Sequence, residues 1–193
     1  MEVKFINTTE VKYTQLKNVV STDDLRPAMC GVYIDFKEKR LVASDAHVLI
    51  SYPIEITDND SELDGVIVPV QYFNRLRYMV SLPTKTVIDI EYVLTDKYAE
   101  IHWLGEMIYR CRYIEGTYPN YNNVIPNPNE FPEKPKEIGI NAHILKKMVS
   151  GLPSANPQTL KMETTTANRA IVFTSTNADY DRPIKAILMP ATL

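Results

Sequence analysis

The feature that most constrains this chain is a pattern met three times in one order: a short apolar strand, an amphipathic helix, then three strands parted by turns. The first unit opens at Val3-Lys4-Phe5-Ile6, with a helix expected over residues 9–20 and strands over 31–36, 41–44 and 48–56. The second opens at Gly65-Val66-Ile67-Val68. Pro69 suits the first turn of its helix, which runs to residue 80, and its strands fall at 87–93, 99–104 and 106–114. The third opens at Glu137-Ile138-Gly139-Ile140, with Asn141 as N-cap of a helix to residue 150 and strands at 159–164, 170–175 and 184–189. Apolar and polar residues alternate in Val87-Ile88-Asp89-Ile90-Glu91-Tyr92-Val93, the two-residue period of a strand. Turn-forming clusters such as Lys37-Glu38-Lys39, Thr95-Asp96-Lys97 and Thr166-Ala167-Asn168 separate neighbouring strands. An irregular α+β meander accounts for any one unit, but three recurrences in the same order favour a repeat. The expected fold class is α+β: three β-α-β-β-β half-domains with the helices on one face of antiparallel sheets.

The clearest boundary follows the second unit. Strand character stops at Gly116, the chain turns through Tyr118-Pro119-Asn120-Tyr121, and Pro126, Pro128, Pro132 and Pro135 then follow. Proline removes a ladder donor and pushes the residue before it to extended geometry, so this stretch joins neither sheet. The expected organisation is a two-unit domain over residues 1–126, a connector over 127–135, and a single unit over 136–193.

Composition and motifs argue against several function classes. Hydrophobic content of 45% and charged content of 23% are ordinary for a folded chain. No apolar run approaches the roughly 20 residues of a membrane helix. The first seven residues have neither the apolar core nor the cleavage site of a signal peptide, so no membrane association and a cytoplasmic location are expected. Cys30 and Cys111 lie far apart without a partner motif and read as buried thiols. His47, His102 and His143 fall in unrelated segments, and neither a phosphate loop nor a nucleophile elbow is present. Asp23-Asp24 and Asp58-Asn59-Asp60 read as solvated turn acids. No catalytic residue, metal ligand or cofactor is expected.

The helices segregate charge. In the first, Tyr13, Leu16 and Val20 form the apolar stripe and leave Lys12 and Lys17 outside it. In the second, Tyr72, Phe73, Leu76 and Val80 face inward while Arg75 and Arg77 do not. In the third, Ile144, Leu145, Met148 and Val149 are expected to pack, with Lys146 and Lys147 pointing out. These helices carry almost no acid although the chain has a net charge of −3. Lysine and arginine are good helix formers on any wet face, which is one explanation. The other is a cation track that meets DNA phosphates without reading bases, with Lys12, Lys17, Arg75, Arg77, Lys146 and Lys147 as its residues.

Three segments resemble the bacterial DNA polymerase III sliding clamp (beta subunit) family. Residues 113–126, with Gly116, Tyr118-Pro119-Asn120-Tyr121, Val124 and Pro126, resemble the family pattern L-x-x-G-x-F-P-D-Y-x-x-V-x-P. Leu25-Arg26-Pro27-Ala28-Met29-Cys30-Gly31-Val32-Tyr33-Ile34 is similar to T-R-P-x-L-x-G-V-x-x, and this segment continues into Leu41-Val42-Ala43-Ser44-Asp45-Ala46-His47-Val48-Leu49, similar to V-A-T-D-G-H-R-L. Ala186-Ile187-Leu188-Met189-Pro190-Ala191-Thr192-Leu193 is similar to the terminal V-M-P-M-R-L. Residues 1–126 thus resemble the family's middle domain, and 136–193 the second half of its last domain.

The resemblance implies a processivity or tethering factor in DNA replication or repair. Its partners would be duplex DNA, a polymerase or repair protein bearing a linear peptide motif, and a clamp loader. The implied peptide pocket has one wall at Ser44, Asp45, Ala46, His47, Val48 and Leu49, a rim at Pro126, and a second wall at Ile187, Leu188, Met189 and Pro190. This chain departs from the family pattern at Ala46, Val48 and Thr192, and His47 also fits a turn histidine with a local hydrogen bond. Four chains of three units would complete the twelve-unit ring that the resemblance implies, and a symmetric dimer pairing two lone units is the simpler homo-oligomer. A peptide-binding adaptor that does not encircle DNA is the alternative function.

Overall fold

Alternating apolar residues gather the chain into two antiparallel sheets. The computed structural model describes residues 2–7, 13–74, 90–126, 137–153, 159–175 and 182–191. The first unit gives β1 (Glu2–Asn7), a 3-10 helix (Tyr13–Asn18), β2 (Gly31–Asp35), β3 (Arg40–Ser44), β4 (Val48–Pro53) and β5 (Ile56–Asn59). The second gives β6 (Gly65–Pro69), α1 (Gln71–Asn74), β7 (Ile90–Thr95), β8 (Tyr98–Trp103) and β9 (Glu106–Arg112). The third gives α2 (Ala142–Ser150), β10 (Leu160–Glu163), β11 (Ile171–Ser175) and β12 (Lys185–Leu188). The α+β class and the order of elements agree with the sequence pattern, with three corrections. Pro69, expected in the first turn of the second helix, instead ends β6, where its missing N–H closes the strand. The helix starts at Gln71, and residues 75–80 of its expected span lie outside the described residues.

The strand expected over residues 48–56 is two strands in different sheets. Pro53 has no N–H to continue the ladder, so β4 ends there, Ile54 N turns to Lys39 O at 3.0 Å, and β5 pairs with β1. The strand expected to open the third unit is a single bridge between Gly139 and Ala191. In the first two units the opening strand crosses to the other unit's sheet, β1 lying against β7 and β6 against β2. The third opening segment finds no such edge among the described residues.

Strand order is β5-β1-β7-β8-β9 in one sheet and β10-β11-β12-β4-β3-β2-β6 in the other. The second sheet therefore runs from the third unit into the first without a break, through four pairs from Lys185↔Ser51 to Leu188↔Val48. Arg182 reinforces that seam: its Nη atoms donate to Glu38 O, Lys39 O and Ile54 O at 2.8–3.1 Å. The buried Arg40 does the same from the other side, donating to Ser51 and to Pro183 O.

Side-chain alternation along the seven-stranded sheet divides its residues between two clusters. Val32, Ile34, Leu41, Ala43, Val48, Ile50, Ala186 and Leu188 face the main core, which also takes Phe5, Tyr92 and Ile101 from the other sheet and Leu16, Tyr72 and Met148 from the helical segments. Val42, Leu49, Ile67 and Ile187 face the opposite way and are covered by Tyr118 and Tyr121. These strands read as continuous apolar runs because both faces are buried there. α2 lies on the main-core side, capped by Asn141, whose Oδ1 accepts from His143 N and Ile144 N. Met148 is buried as expected, whereas Val149, expected to pack, is exposed.

Candidate peptide-binding pocket

The segment after β9 covers only part of the second face of the seven-stranded sheet, and the pocket is the uncovered part beside it. Tyr118 stacks on Tyr33 with ring centroids 5.0 Å apart and planes at 9°. Tyr121 donates its hydroxyl to the buried Asp35 Oδ2 at 2.9 Å. Asn120 caps the short 3-10 helix Tyr121–Val124, its Oδ1 accepting from Asn122 N. Burial first, then the bond to Asp35 and its charge, push the Tyr121 phenol well above its ordinary range, so it stays a donor. The result is a stiff ridge running beside Leu49 and Ile187, which are opposite each other in β4 and β12.

Between that ridge and the turn from β3 to β4 lies a largely apolar cavity of about 200 Å³. Seven of the residues expected at a peptide pocket line it: Ser44, Ala46, His47, Val48, Leu49, Ile187 and Met189. Four do not. Leu188 is fully buried on the main-core face, because neighbours in a strand point to opposite sides. Asp45 turns its carboxylate toward α2. Pro126 and Pro190 lie outside the lining. Sequence reasoning missed Met29, Tyr118, Pro119, Asn120, Tyr121 and Val124. The signal available in the sequence is the rigid Tyr118–Tyr121 turn, whose docking place only the fold supplies.

The turn itself is built by side chains. Asp45 Oδ1 accepts from His47 N at 2.9 Å and Val48 N at 2.8 Å. Ser44 Oγ donates to Val48 O and accepts from Ala46 N. Ala46 adopts a φ of 76°, where an L-residue is strained, so the local bonds and the surrounding sheet must hold it. Met189 N donates to His47 O at 2.9 Å and ties the two walls together. The Tyr118 hydroxyl is buried beside this wall; the Ser44 backbone approaches it without completing a hydrogen bond.

The cations expected on a DNA face divide differently. Lys12, Arg75 and Arg77 lie outside the described residues. Lys17 and Lys146 are exposed on adjacent helical segments, which are joined by a 2.7 Å bond from Asn18 Nδ2 to Ser150 O. Lys147 does not point to solvent. Its ammonium pairs with Asp45 Oδ2, because α2 packs against β4 and β12 and so lies beside the turn that leads into β4. Cys30 and Cys111 are free and half-buried, and burial pushes the Cys111 thiol up to about 11. Among the described residues no group of histidines, cysteines and acids has metal-site geometry, and no helix is long and apolar enough to cross a membrane.

Residues 6–120 match the family described as DNA polymerase III beta subunit, central domain. The chain belongs to this family. The beta sliding clamp of Halalkalibacterium halodurans is 31% identical over 111 residues, which span 55% of this chain and 28% of the relative. That of Lactococcus lactis is 26% identical over 132 residues, spanning 62% of this chain and 31% of the relative. The matched stretch is thus under a third of either curated relative. Solved clamps share the fold over nearly the whole chain. The Helicobacter pylori clamp in complex with diflunisal has a TM-score of 0.71 at 14% identity, covering 99% of this chain and 66% of that one. The Bartonella birtlesii clamp bound to griselimycin has a TM-score of 0.71 at 18% identity, with the same coverage.

Proposed function

We propose that this chain is a clamp-type tethering factor of DNA replication or repair that holds its partners by seating a short apolar peptide in the cavity between the ridge at residues 118–124 and the β3–β4 turn, over Leu49 and Ile187. The observation that carries this reading is the pocket: a preformed apolar cleft with a few polar groups at its edge suits an extended or turn-like peptide. Its walls come from the first unit, the third unit and the ridge after β9, so one chain supplies the whole lining. Peptide capture then needs no ring, which also favours the adaptor that does not encircle DNA. DNA contact rests on Lys17, Lys146 and the family relationship, and is independent of base sequence. Nothing in this reading requires catalysis.

A cavity of about 200 Å³ suits one or two large apolar side chains. Their burial contributes roughly 1.5–3 kcal/mol each before the cost of association, which points to affinity in the micromolar range or weaker. The test is fluorescence anisotropy with a labelled hexapeptide carrying adjacent leucine and phenylalanine. Met189 is 36% exposed at the cavity edge, so Met189→Glu adds a charge there without emptying the core. We expect saturable binding to the wild type, a loss of at least about tenfold in the variant, and an unchanged melting temperature. Equal affinity of the two proteins removes the pocket from the account.

A further inference from the structure

Lys147 and Asp45 are separated by 102 positions in sequence and joined in the fold. Asp45 sits at the corner where β3 becomes the wall of the cavity. One carboxylate oxygen, Oδ1, accepts from His47 N and Val48 N and so shapes the turn. The other, Oδ2, takes the ammonium of Lys147 from α2. Both side chains are largely buried, at 28% and 14% exposure for Lys147 and Asp45. Ala46, held at positive φ, and His47 lie between the bonds that Asp45 makes, and both line the cavity.

We propose that Lys147 is a positioning residue for the peptide pocket rather than a phosphate contact: through Asp45 it holds residues 44–48 in the shape that forms the wall. The inference rests on the peptide reading of this cavity. It deepens that reading by making α2 of the third unit a determinant of affinity although α2 contributes no side chain to the lining. Its chemistry is that of a bidentate brace. A carboxylate with one oxygen bonded to two backbone amides is held more firmly when its second oxygen also has a partner. A cation reached from a packed helix holds that second oxygen, at the cost of fixing the flexible stem of Lys147. Removing the cation leaves Asp45 enclosed and short of one partner, and the least costly response is rotation toward solvent. That rotation weakens the bonds to His47 and Val48 and leaves Ala46 held by the Ser44 hydroxyl and the bond from Met189 N to His47 O.

The test compares wild type, Lys147→Met and Lys147→Arg, with Lys146→Met as a neighbouring control. Methionine keeps the length and the packing of the stem; arginine keeps a cation within reach of Asp45. Two readouts are taken. The first is amide hydrogen exchange and chemical shift of His47 and Val48 by NMR, which needs no ligand. The second is affinity for the labelled leucine-phenylalanine hexapeptide. We expect Lys147→Met to accelerate exchange at these two amides and to weaken the peptide by about tenfold. Lys147→Arg is expected to restore both, and Lys146→Met to change neither. We also expect the salt dependence of DNA association to be the same in Lys147→Met as in wild type. Amides and affinity unchanged in Lys147→Met overturn the brace, as does a loss that arginine fails to rescue. No peptide binding by wild type removes the peptide reading, and the amides then decide separately whether Lys147 holds the turn.

Discussion

Gly151 closes α2 at the point where the helix presses on the sheet beneath the pocket, and replacing it with alanine tests that contact. Its φ of −84° and ψ of −10° are open to any residue, so alanine meets no backbone penalty. The cost is steric. A Cβ there would overlap Val19 Cγ2 and lie 2.5 Å from Ile50 Cδ1, and both side chains are fully buried. Val19 is branched at Cβ and cannot swing a terminal atom aside, so the helix end or β4 must shift. Overpacking of this kind costs about 2–3 kcal/mol, and the reduced freedom of the unfolded chain returns about 0.4–1 kcal/mol, leaving a net loss of about 1–2.5 kcal/mol. For a chain of this size that lowers the melting temperature by about 2–10 °C. The shift should appear in the thermal melt and, with an unchanged slope, in the urea midpoint. An equal or higher melting temperature would mean that α2 does not bear on β4, and the brace between α2 and the pocket wall would lose its support.

Two further outcomes follow from the same contacts. Replacing both Lys17 and Lys146 with alanine should weaken binding to duplex DNA and lower the slope of log affinity against log salt by about 2, with folding intact; an unchanged slope removes these lysines from the DNA face. Tyr33 is held protonated by burial and, next, by the charges of Asp35 and Asp64, which raise its pKa from 10.0 to about 12. The contribution to stability is complete below pH 10 and is lost between 10 and about 12, where the unfolded chain releases the proton first. Tyr113, Tyr118 and Tyr121 are shifted the same way, so unfolding by urea should become easier above pH 10, and a flat midpoint from pH 9 to 11 would contradict these burials.

Much of the fold was legible because strands and helices write their periods locally. The runs 31–36, 41–44 and 65–68 read as strands and fall within a residue of β2, β3 and β6, and Asn141 marked the start of α2, since each signal spans only a few residues. What was not legible depends on partners distant in sequence. A helical wheel places Lys147 off the apolar stripe, yet only the fold brings Asp45 opposite it. Val149 lies on the predicted stripe but at the edge of the surface that α2 covers, so it stays exposed. At the candidate site, a resemblance read as a continuous wall swept in Leu188 with Ile187 and Met189. The two-residue period of β12 sends Leu188 to the core and its neighbours to the cavity. The Tyr118–Tyr121 turn was visible as a stiff corner, but its role as the opposite wall depends on Tyr33 and Asp35, which hold it from β2.

The most direct test of the central claim is where a bound peptide touches the chain. Hydrogen–deuterium exchange with and without the leucine-phenylalanine hexapeptide reads this on the intact protein. We expect protection concentrated at residues 44–49, 118–124 and 187–189, three segments far apart in sequence that meet at the cavity. Protection elsewhere, or at one of these segments alone, would contradict a peptide seated in this cavity.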